Sequence, residues 1–344
     1  MTKRTSIGWP LAATVLIASI LALAACDSPQ TTFSPKSDAA QSIHTLYILI
    51  IVMASIVMVA VLGPMAYALY RFRDRPGRVP SQSHGNTKLE IIWTILPIAI
   101  LIMVGAPTLV AVARTAEPPR DDALHINVVG HQWWFEVQYP GMGPEDPQNP
   151  GKRLPLVTAN EVHLPVGKQA HITLESKDVI HSFWVPQLIG KTDMIPGNVN
   201  KLQNFTPQEV GVFYGQCAEF CGTAHSQMRF RAVVESLGDF NDWVAGLQAA
   251  PKAPESELAK AGQSLFLSKG CVACHSIYGM PGAAGKLGPD LTLLGERLTI
   301  GAGISENTDA NLRAWITDVQ ESKPGTLNMP SFGKLDSNNP QYMS

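Results

Sequence analysis

Cysteine is scarce in this chain of 344 residues, and none of its five copies is spare. Cys26 follows an apolar N-terminal run, Cys217 and Cys221 share one short segment, and Cys271 and Cys274 share another. No thiol is left over for a disulfide framework of the kind that staples small exported domains. Charge is missing over two long stretches, residues 45–70 and 91–113. A helix needs about 20 apolar residues to cross a hydrocarbon core, and both runs are too long and continuous for a soluble core helix. Internal repeats are lacking as well, which excludes a solenoid or propeller. The formal net charge of −2 leaves the choice of partner open, and nothing in the pattern points to nucleic acid.

Lys3 and Arg4 precede an apolar stretch over residues 7–25, the layout of a secretory signal peptide. Its small-residue end, Leu23-Ala24-Ala25-Cys26, resembles a bacterial lipobox and implies a signal over residues 1–25 with lipidation of Cys26. A simple export signal or an uncleaved anchor is the alternative. Either way, residues 26–42 form an exported N-terminal segment. Between the two charge-free runs stand Arg71, Arg73, Arg75, Arg78 and Lys88, opposed only by Asp74 before Glu90. The positive-inside bias puts that loop in the cytoplasm. Residues 43–114 therefore read as a two-helix transmembrane hairpin of a bacterial cell membrane, with all that follows on the periplasmic or exterior side.

After residue 114 the pattern changes to alternating or β-branched runs at 125–129, 161–164, 170–174 and 229–234, separated by Pro- and Gly-rich turns. Short strands so punctuated predict a small sandwich or barrel over residues 115–248. Pro251 and Pro254 mark a linker at 249–257, and residues 258–344 read as a small α-rich domain with helices near 259–267 and 311–319. The expected architecture is a multi-domain membrane protein: helical hairpin, β-domain, α-domain.

Cys217, Cys221, His225 and Met228 fall within twelve residues. Thiolates, an imidazole and a thioether form a soft ligand set that suits copper. Zinc would accept the cysteines and histidines but has no use for Met228, and a Cys217–Cys221 disulfide is the plain alternative in an exported domain. A further imidazole is available upstream in Asp178-Val179-Ile180-His181. In Cys271-Val272-Ala273-Cys274-His275 the spacing is that of c-type haem attachment, with two thioether tethers and His275 as the proximal iron ligand; a redox Cys-x-x-Cys pair is the alternative.

Residues 131–228 resemble the CuA domain of cytochrome c oxidase subunit II, which implies a cupredoxin-like Greek-key fold. The resemblance assigns the dinuclear copper to Cys217 and Cys221 as bridges, His181 and His225 as terminal imidazoles, Met228 as thioether ligand and Glu219 through its backbone carbonyl. It also implies a Mg²⁺ held by the Glu219 carboxylate together with subunit I. Gly130-His131-Gln132-Trp133-Trp134-Phe135 is similar to the family's aromatic run, so Trp133 is expected to take in the electron. The family usually has Trp where Phe135 stands, and no role passes to Phe135. The segment from Lys191 to Gly197 resembles a loop packed against subunit I. Glu90-Ile91-Ile92-Trp93 resembles the start of the second membrane helix, where the glutamate opens a proton-uptake path; an ordinary interfacial carboxylate is the alternative.

The last region resembles small bacterial cytochromes c. Gly262 to Phe266 fits the N-terminal helix, Pro289 the residue whose carbonyl holds the His275 ring, and Met329 in Asn328-Met329-Pro330 the sixth iron ligand, ahead of Met280 and Met343. The family's C-terminal helix is not expected after Asn338-Asn339-Pro340. The remaining histidines, His44, His84, His125, His163 and His171, are expected at surfaces or interfaces. Together these features imply subunit II of a caa-type haem-copper oxidase. Such a chain relays electrons from a donor (cytochrome c or a quinol-oxidising complex) through haem c and CuA to haem a of subunit I, for O₂ reduction with proton translocation. Other oxidase subunits are the expected partners. A CuA subunit of a nitric-oxide reductase and a membrane-anchored copper chaperone are the competing readings.

Overall fold

The structure, a computed structural model, describes residues 28–74, 76–77, 85–248, 253–326 and 329–333. The expected signal peptide, Cys26, part of the 249–257 linker and the C-terminal stretch 334–344 lie outside the described residues.

Helix α1 runs over Asp38–Arg71 and α2 over Thr87–Thr115. Ser37 caps α1 by accepting from the Ala40 amide, and Asn86 caps α2 by accepting from Lys88 and Leu89, so side chains satisfy amides that the first turn leaves orphaned. Both helices are long and apolar enough to cross a membrane. No residue of α2 is buried by protein, and an all-round apolar surface of this kind suits lipid rather than a soluble core. Helix α1 begins ahead of the expected position 43 because its first turn is docked. Ala39 and Ala40 are buried, Ser37 Oγ donates to the Leu188 carbonyl, and Lys36 pairs with Glu209.

The β-domain is a sandwich of two five-stranded sheets. One holds β1 (Leu124–His131), β2 (Trp134–Tyr139), β3 (Leu156–Ala159), β5 (Ala170–Ser176) and β8 (Asn200–Lys201) in the order β3-β2-β1-β5-β8. The other holds β4 (Glu161–Pro165), β6 (His181–Val185), β7 (Ile189–Met194), β9 (Gly211–Cys217) and β10 (Arg229–Glu235) in the order β4-β10-β9-β6-β7. The pairs β1–β5 and β4–β10 are parallel, so the chain crosses between sheets instead of meandering. Alternation along β5 and β10 sends one face inward. The core between the sheets centres on Phe135, Phe183 and Phe230, with Phe183 stacked on Phe230 at 4.5 Å and Phe135 edge-on to Phe230 at 5.0 Å. Helix α3 (Leu237–Gln248) closes one end through Phe240 and Val244.

Beyond the linker come α4 (Glu257–Ser268), a 3-10 turn at Cys271–Ala273, a short β11–β12 ladder (Thr299–Ile300, Ser305–Glu306), α5 (Asp309–Thr317) and α6 (Val319–Ser322). The segment from Leu298 to Gly325 lies on the sandwich. Arg229 N donates to the Ala302 carbonyl at 3.0 Å, and Ala302 is buried beside Trp134 and Ala159.

Candidate metal centre and haem site

The soft ligand loop is fixed at both ends by the second sheet. Cys217 ends β9 opposite Phe183, its amide donates to the Met228 carbonyl at 2.9 Å, and the Ala218 amide donates to Ser182 at 3.1 Å. Between these anchors a 3-10 turn at His225–Gln227 folds the imidazole back. The result brings together all six atoms expected from the sequence. The two sulfurs are 3.8 Å apart, well beyond a disulfide bond of about 2.05 Å. Cys217 Sγ lies 3.9 Å from His181 Nδ1 and 3.2 Å from the Glu219 carbonyl, whereas Cys221 Sγ lies 3.5 Å from His225 Nδ1 and 3.8 Å from Met228 Sδ. Each cysteine thus has an imidazole and one weaker donor of its own. His181 and Met228 are wholly buried, and Cys221 is 2% exposed.

The electrostatics favour a thiolate at once. The hydrogen bond from the Cys221 thiol, joined by His181, outweighs burial and holds Cys217 well below the usual thiol value. The negative charge of Cys217, with burial added, pushes Cys221 up. The pair therefore favours one thiolate, and a bound cation would favour the second, since metal ligation requires deprotonated cysteine. His181 turns its other nitrogen to Asp178 (Nε2 to Oδ1, 2.8 Å), and the second Asp178 oxygen accepts from the Gln132 amide at 2.7 Å. Such a carboxylate fixes the tautomer and ring angle of a ligating histidine. Gly130 backs the same ring, since a Cβ there would sit 2.8 Å from His181 Cδ2. A buried, converging set of thiolates, imidazoles, thioether and carbonyl fits a soft metal pair.

Trp133 occupies the turn between β1 and β2, 7% exposed, and its indole Nε1 donates to the Cys221 carbonyl at 3.0 Å. Gln132 Nε2 donates to the same oxygen at 2.7 Å. The half-exposed Glu219 carboxylate reaches Lys191 Nζ at 3.8 Å, while its carbonyl serves Cys217. Glu90 stands exposed in the first turn of α2, apart from these groups.

In the C-terminal domain, Cys271 and Cys274 are half-buried free thiols on one short turn. His275 Nδ1 donates to the Pro289 carbonyl at 2.8 Å, which leaves Nε2 as the ligating atom, and burial pulls His275 below the usual histidine value. Here too a glycine backs the imidazole: a Cβ on Gly288 would lie 2.5 Å from His275 Cε1. The thiol pair, the oriented imidazole and this cradle fit a covalently held haem. Met329 is half-buried in the stretch 329–333, whose Phe332 and Gly333 amides donate to Ile316 and Thr317 of α5.

Three residues escaped sequence reasoning. Asp178 had a visible signal, a carboxylate three positions before a candidate ligand histidine. Lys323, 3% exposed, had none, yet its ammonium donates to the carbonyls of Trp133 (2.7 Å) and Gly301 (3.2 Å), and burial holds it down to about 7. His163 corrects the expectation of a surface or interfacial role. It is 8% exposed, stacked on Trp243 at 4.0 Å, and its ring nitrogens face Glu235 at 3.0 Å and Glu161 at 3.7 Å.

Residues 124–237 match the family described as cytochrome C oxidase subunit II, periplasmic domain, residues 28–110 its transmembrane domain, and residues 259–341 cytochrome c. The chain is 36% identical over 309 residues to cytochrome c oxidase subunit 2 of Alkalihalophilus pseudofirmus, covering 88% of this chain and 85% of that protein. It is 31% identical over 334 residues to the Bacillus subtilis protein of the same description, covering 92% and 90%. Among solved structures, the periplasmic domain of subunit II of cytochrome oxidase from Bradyrhizobium japonicum matches 38% of this chain and 97% of that chain, at 30% identity and a TM-score of 0.32.

Proposed function

The chain belongs to the cytochrome c oxidase subunit 2 family, and from that membership we propose that it relays electrons one at a time from a donor such as cytochrome c to subunit I of a haem-copper oxidase. The observation that carries this reading is the convergence of Cys217, Cys221, His181, His225, Met228 and the Glu219 carbonyl within one buried cluster. Cys217, Cys221, His181, His225, Met228 and the Glu219 carbonyl would hold a copper pair, which would supply one-electron redox chemistry there. The sheet-anchored loop keeps the ligands in place in both states, and burial keeps water from a vacant coordination position. This suits electron transfer rather than catalysis on a substrate, which needs an open site.

Haem c would be held by Cys271, Cys274 and His275 with Met329, and Met/His ligation, which favours the ferrous state, would suit it to receive the electron from the donor before it goes on to the copper pair. Trp133, hydrogen-bonded to the Cys221 carbonyl, takes the role of the residue through which the electron reaches the copper pair. Glu219 would reach outward to a Mg²⁺ shared with subunit I, Glu90 would start a proton path into subunit I, and Cys26 would carry the lipid anchor. Oxygen reduction and proton translocation then belong to the complex, on the partner subunit.

The test is electron paramagnetic resonance of the purified complex together with gas consumption. One electron shared equally by two copper nuclei, with O₂ and not NO consumed, is the expected result. A single-copper spectrum would overturn the dinuclear assignment, and preferential NO turnover would move the chain to a nitric-oxide reductase.

A further inference from the structure

The cytochrome c domain meets the sandwich through a set of hydrogen bonds, one of which reaches Thr223 in the copper-ligand loop. Glu161 of β4, 2% exposed, accepts from the Leu298 and Thr299 amides at 2.7 and 3.1 Å. Arg231 donates to the Gly303 carbonyl at 3.0 Å, and Thr223 Oγ1 to the Gly325 carbonyl at 2.9 Å. At the centre stands Lys323. Asp318 caps the short α6 by accepting from Gln320 and Glu321, and the Lys323 amide closes the turn on the Val319 carbonyl at 2.7 Å. That turn delivers an ammonium to the interior, where its hydrogen-bond partners are two neutral carbonyls, those of Trp133 and Gly301. A buried cation without a carboxylate partner costs stability, and an apolar side chain would fill the place more cheaply. The position it occupies supplies the reason. Two consecutive hydrogen bonds, Lys323 Nζ to the Trp133 carbonyl and Trp133 Nε1 to the Cys221 carbonyl, link the cytochrome c domain to a copper ligand.

We propose that Lys323 is a positioning residue for electron transfer between the two domains: it latches the cytochrome c domain over Trp133, and its positive charge favours the electron's arrival at the copper pair. The proposal rests on the relay reading above. In the step concerned, one electron leaves ferrous haem iron, which becomes ferric, and is taken up by the copper pair, which is reduced by one; no bond is made and no proton moves. At a pH below about 7, where the amine carries its proton, the cation stabilises the added negative charge, while the hydrogen bond to Trp133 holds the domain against that turn.

The experiment uses the whole complex carrying K323M, K323Q or K323R, with the copper and haem spectra as the check on assembly. Electrons are photo-injected into haem c and the copper band is followed. Redox titration gives the copper midpoint potential, and hydrogen exchange reports the Thr299 and Arg229 amides. In K323M the transfer rate is expected to fall about tenfold, the equivalent of about 1.4 kcal/mol, near the low end of what a charge-assisted hydrogen bond contributes. The copper potential falls with it, and both amides exchange faster. K323Q keeps a donor for the Trp133 carbonyl without the charge, so it retains amide protection while the potential still falls, and it serves if K323M does not assemble. K323R restores the potential. A K323M chain with faster exchange but unchanged rate and potential would reduce Lys323 to a structural contact and overturn the proposal. Failure of the wild-type haem to reduce the copper pair would instead strike at the relay reading itself.

Discussion

In the sandwich, Cys217, Cys221 and Met228 belong to the same apolar cluster as Phe135, Phe183 and Phe230, and none of them is more than 5% exposed. The cytochrome c domain is built otherwise. Cys271, Cys274 and His275 are half-buried, their domain's Leu258 and Leu287 are 85% and 74% exposed, and among the described residues the main core cluster holds nothing beyond Leu247. One site is carved into a finished protein core, where packing holds each ligand before any metal arrives. The other presents its ligands on a short turn outside that core, the kind of small domain that can draw folding energy from a bound cofactor. The difference predicts that losing the cofactor is a local event in the first case and a domain-wide event in the second.

Replacing the covalent ligands tests that contrast most severely. Cys217→Ser is expected to abolish the shared-valence copper signal while the sandwich keeps its thermal transition. Cys271→Ser with Cys274→Ser is expected to lose bound haem and to expose the segment from α4 to α6 to proteolysis. If the two regions respond alike in calorimetry and limited digestion, the contrast fails.

Core truncation comes next. Phe230, fully buried between Phe135 and Phe183, should cost about 3–5 kcal/mol when replaced by Ala. Leu258→Ala, at a position 85% exposed, should stay within about 0.5 kcal/mol. Denaturant titration of each variant reads the difference. The glycines behind the two histidines sharpen the comparison further. Gly130→Ala and Gly288→Ala each force a Cβ into an imidazole, a clash worth about 1–3 kcal/mol. The rigid sandwich should show it as altered copper hyperfine structure, and the looser cytochrome c domain as a shifted haem potential with little loss of fold.

The smallest effect is expected at the seam between the regions. Burial alone would lower the pKa of His163, but the carboxylates of Glu161 and Glu235 outweigh it and raise the value. A raised histidine contributes stability that is complete below its unfolded pKa of about 6.5 and fades as pH rises through the higher folded value. The charges facing it are Glu161 and Glu235, with Arg297 near Glu161. The Leu298 and Thr299 amides that rest on Glu161 should therefore lose protection as pH rises above about 6.5, read by hydrogen exchange, and His163→Gln should remove the dependence.

The lettering of the chain made much of this visible because the relevant groups are close in sequence. Charge-free runs announced the membrane helices, alternation announced the strands, and Cys217, Cys221, His225 and Met228 stand so near one another that only one loop could present them. The Cys271–His275 spacing is a complete haem-attachment unit in itself. His181 was legible only through the family's pattern, since 36 residues separate it from Cys217 and no local rule brings them together. Three-dimensional packing alone decided the rest. Lys323 lies 190 residues from Trp133, Glu161 lies 137 from Leu298, and Glu235 lies 72 from His163. A lysine in a polar loop and a histidine in a strand look ordinary along the chain, because burial and opposite partners are properties of the folded arrangement. Residue types and short spacings determined which groups this protein can hold. The crossing of the sheets and the seating of the second domain decided which side chains surround those groups, because only packing sets distance and dielectric between residues far apart in sequence.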